Sequence, residues 1–279
     1  MQNYKNYKNK IIKMSKENKI DTVFNRLRTE NKTAFIPFIS IGDPDIETSL
    51  EIAKTLIKNG ADMIELGFPF SDPMADGKVI QRSYERALKN KVSMEDAFSF
   101  VKKLKAYRDI PVILFTYYNP VFILGERFAK GAQSAGIDGI LVVDLPPEES
   151  GELTKYIQGK NIYQIYLLAP TTGNERIKQV LSHAKGFVYY VSVTGVTGVR
   201  KSLPETIKSK VKEIKEISSI PVGVGFGISS KEQAKDIGKC ADAVIIGSKI
   251  IQFIEDNIND KPTIIQRIAE FSSGIKSNL

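Results

Sequence analysis

A glutamate stands in the middle of an otherwise apolar, strand-like run, Asp62-Met63-Ile64-Glu65-Leu66-Gly67. A carboxylate is costly to bury without a partner. Glu65 is therefore either a salt-bridged core acid or a general acid–base whose pKa is tuned by its surroundings. Further on lies Asp76, in Phe70-Ser71-Asp72-Pro73-Met74-Ala75-Asp76-Gly77, a segment too polar and irregular to be core. Such a loop can lean back over the end of the run and bring Asp76 towards Glu65. Two carboxylates in unlike surroundings suit one proton shuttle and one charge stabiliser. Asp72 competes with Asp76 for the second role, and spacing alone does not choose between them.

Three later segments carry the signs of an anion site: Gly195-Val196-Thr197-Gly198, Gly223-Val224-Gly225-Phe226-Gly227-Ile228-Ser229, and Gly247-Ser248 at the start of a helical pattern. Glycines let backbone N–H groups approach an anion, and a helix N-terminus adds partial positive charge. Each fragment alone is weak, and Gly247 also fits a plain turn. Together they point to a phosphate.

Other chemistries find little support. The chain has a single histidine, His183, and a single cysteine, Cys240. That disfavours a His-rich metal centre, a Cys–His pair and a haem site, so carboxylates become the default acid–base groups. His183 lies late in a helical segment and reads as a surface or cap residue. The net charge is +8, but the lysines are spread along helices instead of forming one stripe. Solvated helix faces and an anionic small substrate fit better than nucleic acid. No apolar run reaches the roughly 18 residues that span a membrane. The opening residues 1–13, with their NYK-NYK-NK repetition, lack the features of a signal or transit peptide and read as a disordered tail (residues 1–14), with Met14 a possible alternative start. A soluble, cytoplasmic protein is expected, or one of the plastid stroma if the gene is organellar.

The elements that must position these groups follow from the pattern. Eight β-rich runs, 34–41, 63–68, 111–117, 139–144, 163–168, 187–193, 221–226 and 243–246, alternate with helical segments such as 46–58 and 79–89. Strand–helix alternation implies parallel strands, near-continuous apolar runs imply burial on both faces, and eight units close a (β/α)₈ TIM barrel. Gly60-Ala61-Asp62, Gly136-Ile137-Asp138 and Cys240-Ala241-Asp242 each lead straight into a strand and read as a reused turn. Extra helices are expected at 17–29, 93–107 and 259–276, the first covering the barrel floor. With no internal linker, residues 15–279 form one α/β domain. In this fold the site lies at the carboxyl ends of the strands, and the three glycine segments, after strands six, seven and eight, match where it places phosphate.

The segment Glu65-Leu66-Gly67-Phe68-Pro69-Phe70-Ser71-Asp72-Pro73-Met74-Ala75-Asp76-Gly77 closely resembles the signature of tryptophan synthase alpha chains. Supporting matches are Pro37-Phe38-Ile39-Ser40-Ile41-Gly42-Asp43-Pro44, Asp144-Leu145-Pro146-Pro147-Glu148-Glu149, Val193-Thr194-Gly195-Val196-Thr197-Gly198 and Gly225-Phe226-Gly227-Ile228. They run in family order over residues 18–258. The resemblance implies retro-aldol cleavage of indole-3-glycerol phosphate to indole and glyceraldehyde 3-phosphate. Glu65 would be the catalytic acid–base and Asp76 the second carboxylate, with Tyr189 beside the glutamate. Phe38, Phe115, Tyr117 and Leu141 would line the indole pocket; the alternative is that they are plain core, which is the stronger reading for Leu141. Gly198, Gly225, Gly227, Gly247 and Ser248 would hold the phosphate end, and Thr197 would bond Asp76 on closure of the 194–202 loop. No metal or organic cofactor is implied, because pyridoxal phosphate belongs to a beta subunit that pairs with the alpha chain in an alpha2-beta2 heterotetramer. The loops after strands two and six would face that partner.

Two rivals remain. Another phosphosugar barrel, such as a ribulose-phosphate epimerase or an imidazole-pathway enzyme, is the nearest rival enzyme; the metal-dependent epimerase would need several histidines, which the chain lacks. A non-catalytic barrel that only activates a partner would not need both Glu65 and Asp76.

Overall fold

Eight short parallel strands pair in sequence order, β1 to β8, and close when β8 pairs with β1. The computed structural model describes residues 17–191, 205–225 and 227–279. The strands are β1 Ala34–Ser40, β2 Ile64–Gly67, β3 Val112–Thr116, β4 Gly139–Val142, β5 Tyr163–Leu168, β6 Val188–Val191, β7 Val222–Gly225 and β8 Ala243–Ile246. Each lies within one of the apolar runs, trimmed mostly at the ends. The expected tail, residues 1–14, lies outside the described residues, as do positions 192 and 193 of the sixth run.

Twelve α-helices are described: α1 Lys19–Thr29, α2 Ile46–Lys58, α3 Lys78–Lys89, α4 Met94–Tyr107, α5 Tyr118–Leu124, α6 Glu126–Ala135, α7 Gly151–Ile157, α8 Asn174–His183, α9 Glu205–Ile217, α10 Lys231–Gly238, α11 Ser248–Asp256 and α12 Lys261–Lys276. The three extra helices expected from sequence are α1, α4 and α12. A capping box starts α4, with Ser93 Oγ accepting from the Asp96 amide and the Asp96 carboxylate accepting from the Ser93 amide. Helix α1 closes the floor. Asn18 caps it and donates to the carbonyls of Asp138 (3.0 Å) and Asn161 (2.8 Å). Ile20, Phe24 and Leu27 bury one helical face. Ile20 packs where side chains on Gly139 and Gly186 would otherwise stand.

The repeated triplets have a shared structural use. Asp62, Asp138 and Asp242 each send a backbone N–H to the carbonyl of the preceding strand's first residues and accept that residue's amide on the side chain. The partners are Phe35, Val112 and Val222 respectively. Each carboxylate is balanced by a lysine: Lys276 at 2.6 Å, Lys105 at 2.5 Å and Lys215 at 3.0 Å. These aspartates extend the strand ladders at the barrel floor, far from any mouth chemistry. His183 ends α8 on the surface, with Nδ1 3.0 Å from the Gln179 carbonyl.

Candidate active site

The register sets the site. Phe38 of β1 pairs with Glu65 of β2, and Gly67 pairs with Phe115 of β3. Side chains alternate along a strand, so Ile64 and Leu66 face the helices while Glu65 projects into the barrel. The carboxyl ends of the strands open on a cavity of about 680 Å³ that is continuous with solvent. Phe38, Glu65, Phe115 and Tyr189 line its inner part, Asp76 and Ile80 one side, and Gly227, Gly247 and Ser248 the other.

Glu65 is 1% exposed, and its Oε1 has no hydrogen-bond partner among the described residues. Burial in these apolar surroundings pushes its carboxyl up to about 8. Burial therefore favours its protonated form at neutral pH.

Asp76 reaches the same cavity from the loop after β2. A turn forms as the Asp76 amide donates to the Pro73 carbonyl, 3.1 Å, and Gln81 of α3 donates to the Asp76 carbonyl, 2.8 Å. Tyr117, at the end of β3, donates its hydroxyl to Asp76 Oδ2 at 2.7 Å and accepts from the Ala75 amide at 3.1 Å. Phe70 stacks on the Tyr117 ring at 4.7 Å. Burial pushes Asp76 up to about 6, partly offset by the Tyr117 hydrogen bond. Asp76 is thus ionised at neutral pH while Glu65 is not. Asp72 is exposed, accepts from Ser71 Oγ at 2.5 Å, and does not line the cavity.

Across the mouth, α11 opens at Gly247 and Ser248, so its first-turn amides face the cavity. A side chain on Gly247 would meet the Phe38 ring at 3.1 Å, so the helix end sits directly against the aromatic wall. Gly227 has φ +73°, a left-handed conformation that favours glycine, and lies exposed at the rim. A helix N-terminus with glycine backbone beside it suits a phosphate. Two arginines fasten α11 to α3. Arg82 pairs with Glu255 at 2.5 Å, and Arg86 pairs with Asp43 at 2.7 Å and with Glu255 at 3.6 Å.

Several expected positions lie outside the cavity lining. Leu141 is fully buried in β4 and does not line the cavity. The β4 contribution comes from Val143, two residues on, because the mouth begins one inward layer above Leu141. Tyr117 also stands outside the lining and acts on it through Asp76. Gly225 is buried below the mouth, where a side chain would collide with the Tyr189 hydroxyl at 2.2 Å. Its smallness makes room for Tyr189 and gives the cavity no surface of its own. Thr197, Gly198 and Phe226 lie outside the described residues. Sequence reasoning missed Ile80, Leu167, Val191, Ile228 and Ile245, which also line the cavity. For Leu167, Val191 and Ile245, strand alternation counted from Tyr189 and its neighbours was the available signal.

Comparisons with known proteins point to one family. The family model described as tryptophan synthase alpha chain matches residues 24–279. The alpha chain of Nitrosomonas europaea is 47% identical over 240 residues, covering 85% of this chain and 87% of that one. The alpha chain of Geotalea uraniireducens is 44% identical over 262 residues, covering 94% and 97%. The crystal structure of the tryptophan synthase alpha subunit from Legionella pneumophila superposes with a TM-score of 0.87 at 37% identity, covering 94% of this chain and 98% of that one. The chain belongs to the tryptophan synthase alpha chain family, lyases of tryptophan biosynthesis that cleave indole-3-glycerol phosphate to indole and glyceraldehyde 3-phosphate.

Proposed function

We propose that Glu65 and Asp76 carry the cleavage between them, and the observation that supports this best is that two carboxyl groups from different elements line one cavity, burial raising Glu65 further than Asp76. Phe38 and Phe115 hold the indole ring, and the N-terminus of α11 with Gly227 holds the phosphate. Protonated Glu65 delivers its proton to ring carbon C3. Ionised Asp76 accepts the ring N–H and balances the charge that develops on the indoleninium ion. Glu65, now a carboxylate, takes the proton of the side-chain hydroxyl. The bond between the ring and the side chain breaks, its electron pair returns to the ring, and the hydroxyl carbon becomes the aldehyde. Protons and electrons balance within the substrate and one carboxyl group, so the chain needs neither a metal nor an organic cofactor for this step. The direct test is incubation of the isolated chain with indole-3-glycerol phosphate. Indole release supports the reading, and its absence with and without a beta subunit refutes it.

The phosphate end makes its own prediction. Gly227→Asp places charge and bulk where an anion must approach backbone. Inhibition by glycerol phosphate analogues should be lost, while the exposed position and the tolerance of aspartate for φ above zero keep the destabilisation to about 1 kcal/mol. Retained inhibition would move the phosphate site elsewhere.

An alpha chain implies a beta-subunit partner, and we place its docking face, in an alpha2-beta2 assembly, on the mouth side of the barrel. Met74, Phe122 and Ile123 are 89%, 58% and 66% exposed, and they sit on the segments that follow β2 and β3. Large exposed apolar side chains in one region mark an interaction surface. Phe122→Asp should weaken co-elution with the beta subunit by tenfold or more (~1.4 kcal/mol) and leave cleavage by the isolated chain intact. Unchanged co-elution would place the partner elsewhere. Among the described residues no helix is long and apolar enough to cross a membrane, and the proposal puts both subunits in the cytoplasm.

A further inference from the structure

Tyr84 is a helix residue that the mechanism above leaves unused. It lies on α3, is 0% exposed, and its hydroxyl has no hydrogen-bond partner among the described residues. An orphaned phenol costs free energy that a phenylalanine would not. The position of the hydroxyl is informative. A side chain on Gly67 would meet Tyr84 Oη at 2.8 Å and the far end of the Phe38 ring at 2.5 Å. Gly67 is the inward-facing residue of β2 directly above Glu65, and Phe38 is the register partner of Glu65. The missing side chain of Gly67 therefore admits the Tyr84 hydroxyl over the top of β2, on the side to which Glu65 projects. Glu65 Oε1 is itself buried and unpartnered among the described residues. The Tyr84 hydroxyl and Glu65 Oε1 are thus two unpartnered buried polar groups around neighbouring inward positions of β2, not bonded to each other while Glu65 holds its proton.

We propose that Tyr84 is a positioning residue for Glu65: its hydroxyl donates a hydrogen bond to the Glu65 carboxylate in the interval after that group has given up its proton. The proposal rests on Glu65 as the proton shuttle. It supplies what the mechanism lacks, a donor for a carboxylate that must ionise in an apolar pocket. The titratable groups around this space are Asp76 on the loop after β2, Tyr117 at the end of β3 and Tyr189 on β6. Burial, followed by Asp76, Tyr117 and Glu65, holds the Tyr84 hydroxyl well above its ordinary value, so it stays a donor across the working pH range. Tyr189 is similarly raised, by burial and then by Glu65 and Asp76. Its hydroxyl is packed over Gly225 of β7, whereas that of Tyr84 comes from helix α3 over Gly67 of β2.

The test is Tyr84→Phe, which removes one oxygen and keeps the ring. Turnover should fall about tenfold, with KM within about twofold because Tyr84 lies outside the cavity lining. A donor to the ionised form lowers a carboxyl pKa, so its loss raises it. The pH above which turnover declines should therefore move up by roughly one unit. The melting temperature should hold or rise. An infrared titration of the Glu65 carboxyl band, assigned with Glu65→Gln, should show the same upward movement without any substrate. Unchanged turnover and an unmoved titration would overturn the proposal. So would a fall in turnover accompanied by a lower melting temperature and an unmoved titration, which is the mark of packing alone. If the wild-type chain releases no indole, the catalytic reading fails, while the infrared titration still decides whether Tyr84 bonds Glu65.

Discussion

Glu65→Gln is expected to lose about a thousandfold or more in indole release while becoming more stable at neutral and alkaline pH. The amide conserves the shape of the side chain but transfers no proton. The stability gain follows from linkage. The wild-type carboxyl has an ordinary value of 4.5 and is pushed up to about 8 when folded. The folded state therefore holds its proton more tightly than the unfolded chain. That contribution is fully present below pH 4.5 and is lost as pH rises through 8. The total loss is of the order of 3–5 kcal/mol. A glutamine does not titrate, so the melting temperatures of variant and wild type should lie closest near pH 4 and diverge towards pH 8, the variant ahead. Activity within about tenfold of wild type would remove Glu65 from the chemistry. Parallel melting curves across pH would show that its carboxyl is not buried in ionisable form.

Asp76→Asn should lower turnover by about 10²–10³-fold, because a neutral amide cannot balance the charge that develops on the indole ring. The asparagine carbonyl can still accept the Tyr117 hydroxyl that holds Asp76 at 2.7 Å. The loop should therefore keep its place, and the loss should fall mainly on turnover. Asp72→Asn is the matched control. Its carboxylate is exposed and bonded to Ser71, away from the cavity lining, and a change within about threefold is expected of an exposed site. A larger loss from Asp72→Asn than from Asp76→Asn would reverse the assignment.

The barrel was legible because its signal is repeated eight times. Apolar runs such as residues 243–246 became strands with the same bounds, and the triplets ending in Asp62, Asp138 and Asp242 marked three strand bottoms. Glu65 was legible because a lone carboxylate in a buried strand contradicts its surroundings. Features that depend on depth within the barrel were less so. Alternation says that Leu141 points inward but not that the cavity floor lies above it at Val143. Spacing could not separate Asp72 from Asp76, since the discriminating contact comes from Tyr117 on another strand. Gly225 looked like an anion-binding glycine but is needed as space for Tyr189. Tyr84 gave no signal, being one more apolar position in a helical repeat. Its bearing on Glu65 exists only because Gly67, on another element, has no side chain.

In the proposed mechanism a protonated Glu65 and an ionised Asp76 act together at the barrel mouth. The pH dependence of kcat/KM for indole release from indole-3-glycerol phosphate tests it most directly. Burial sets Asp76 at about 6 and Glu65 at about 8, so the profile should be bell-shaped with its maximum between them. The substrate phosphate also ionises near pH 6, so the alkaline limb is the decisive one. A decline centred near pH 8 is the predicted result. Activity that stays level through pH 9, or that declines only at a pH where tyrosine or lysine ionises, would contradict the account.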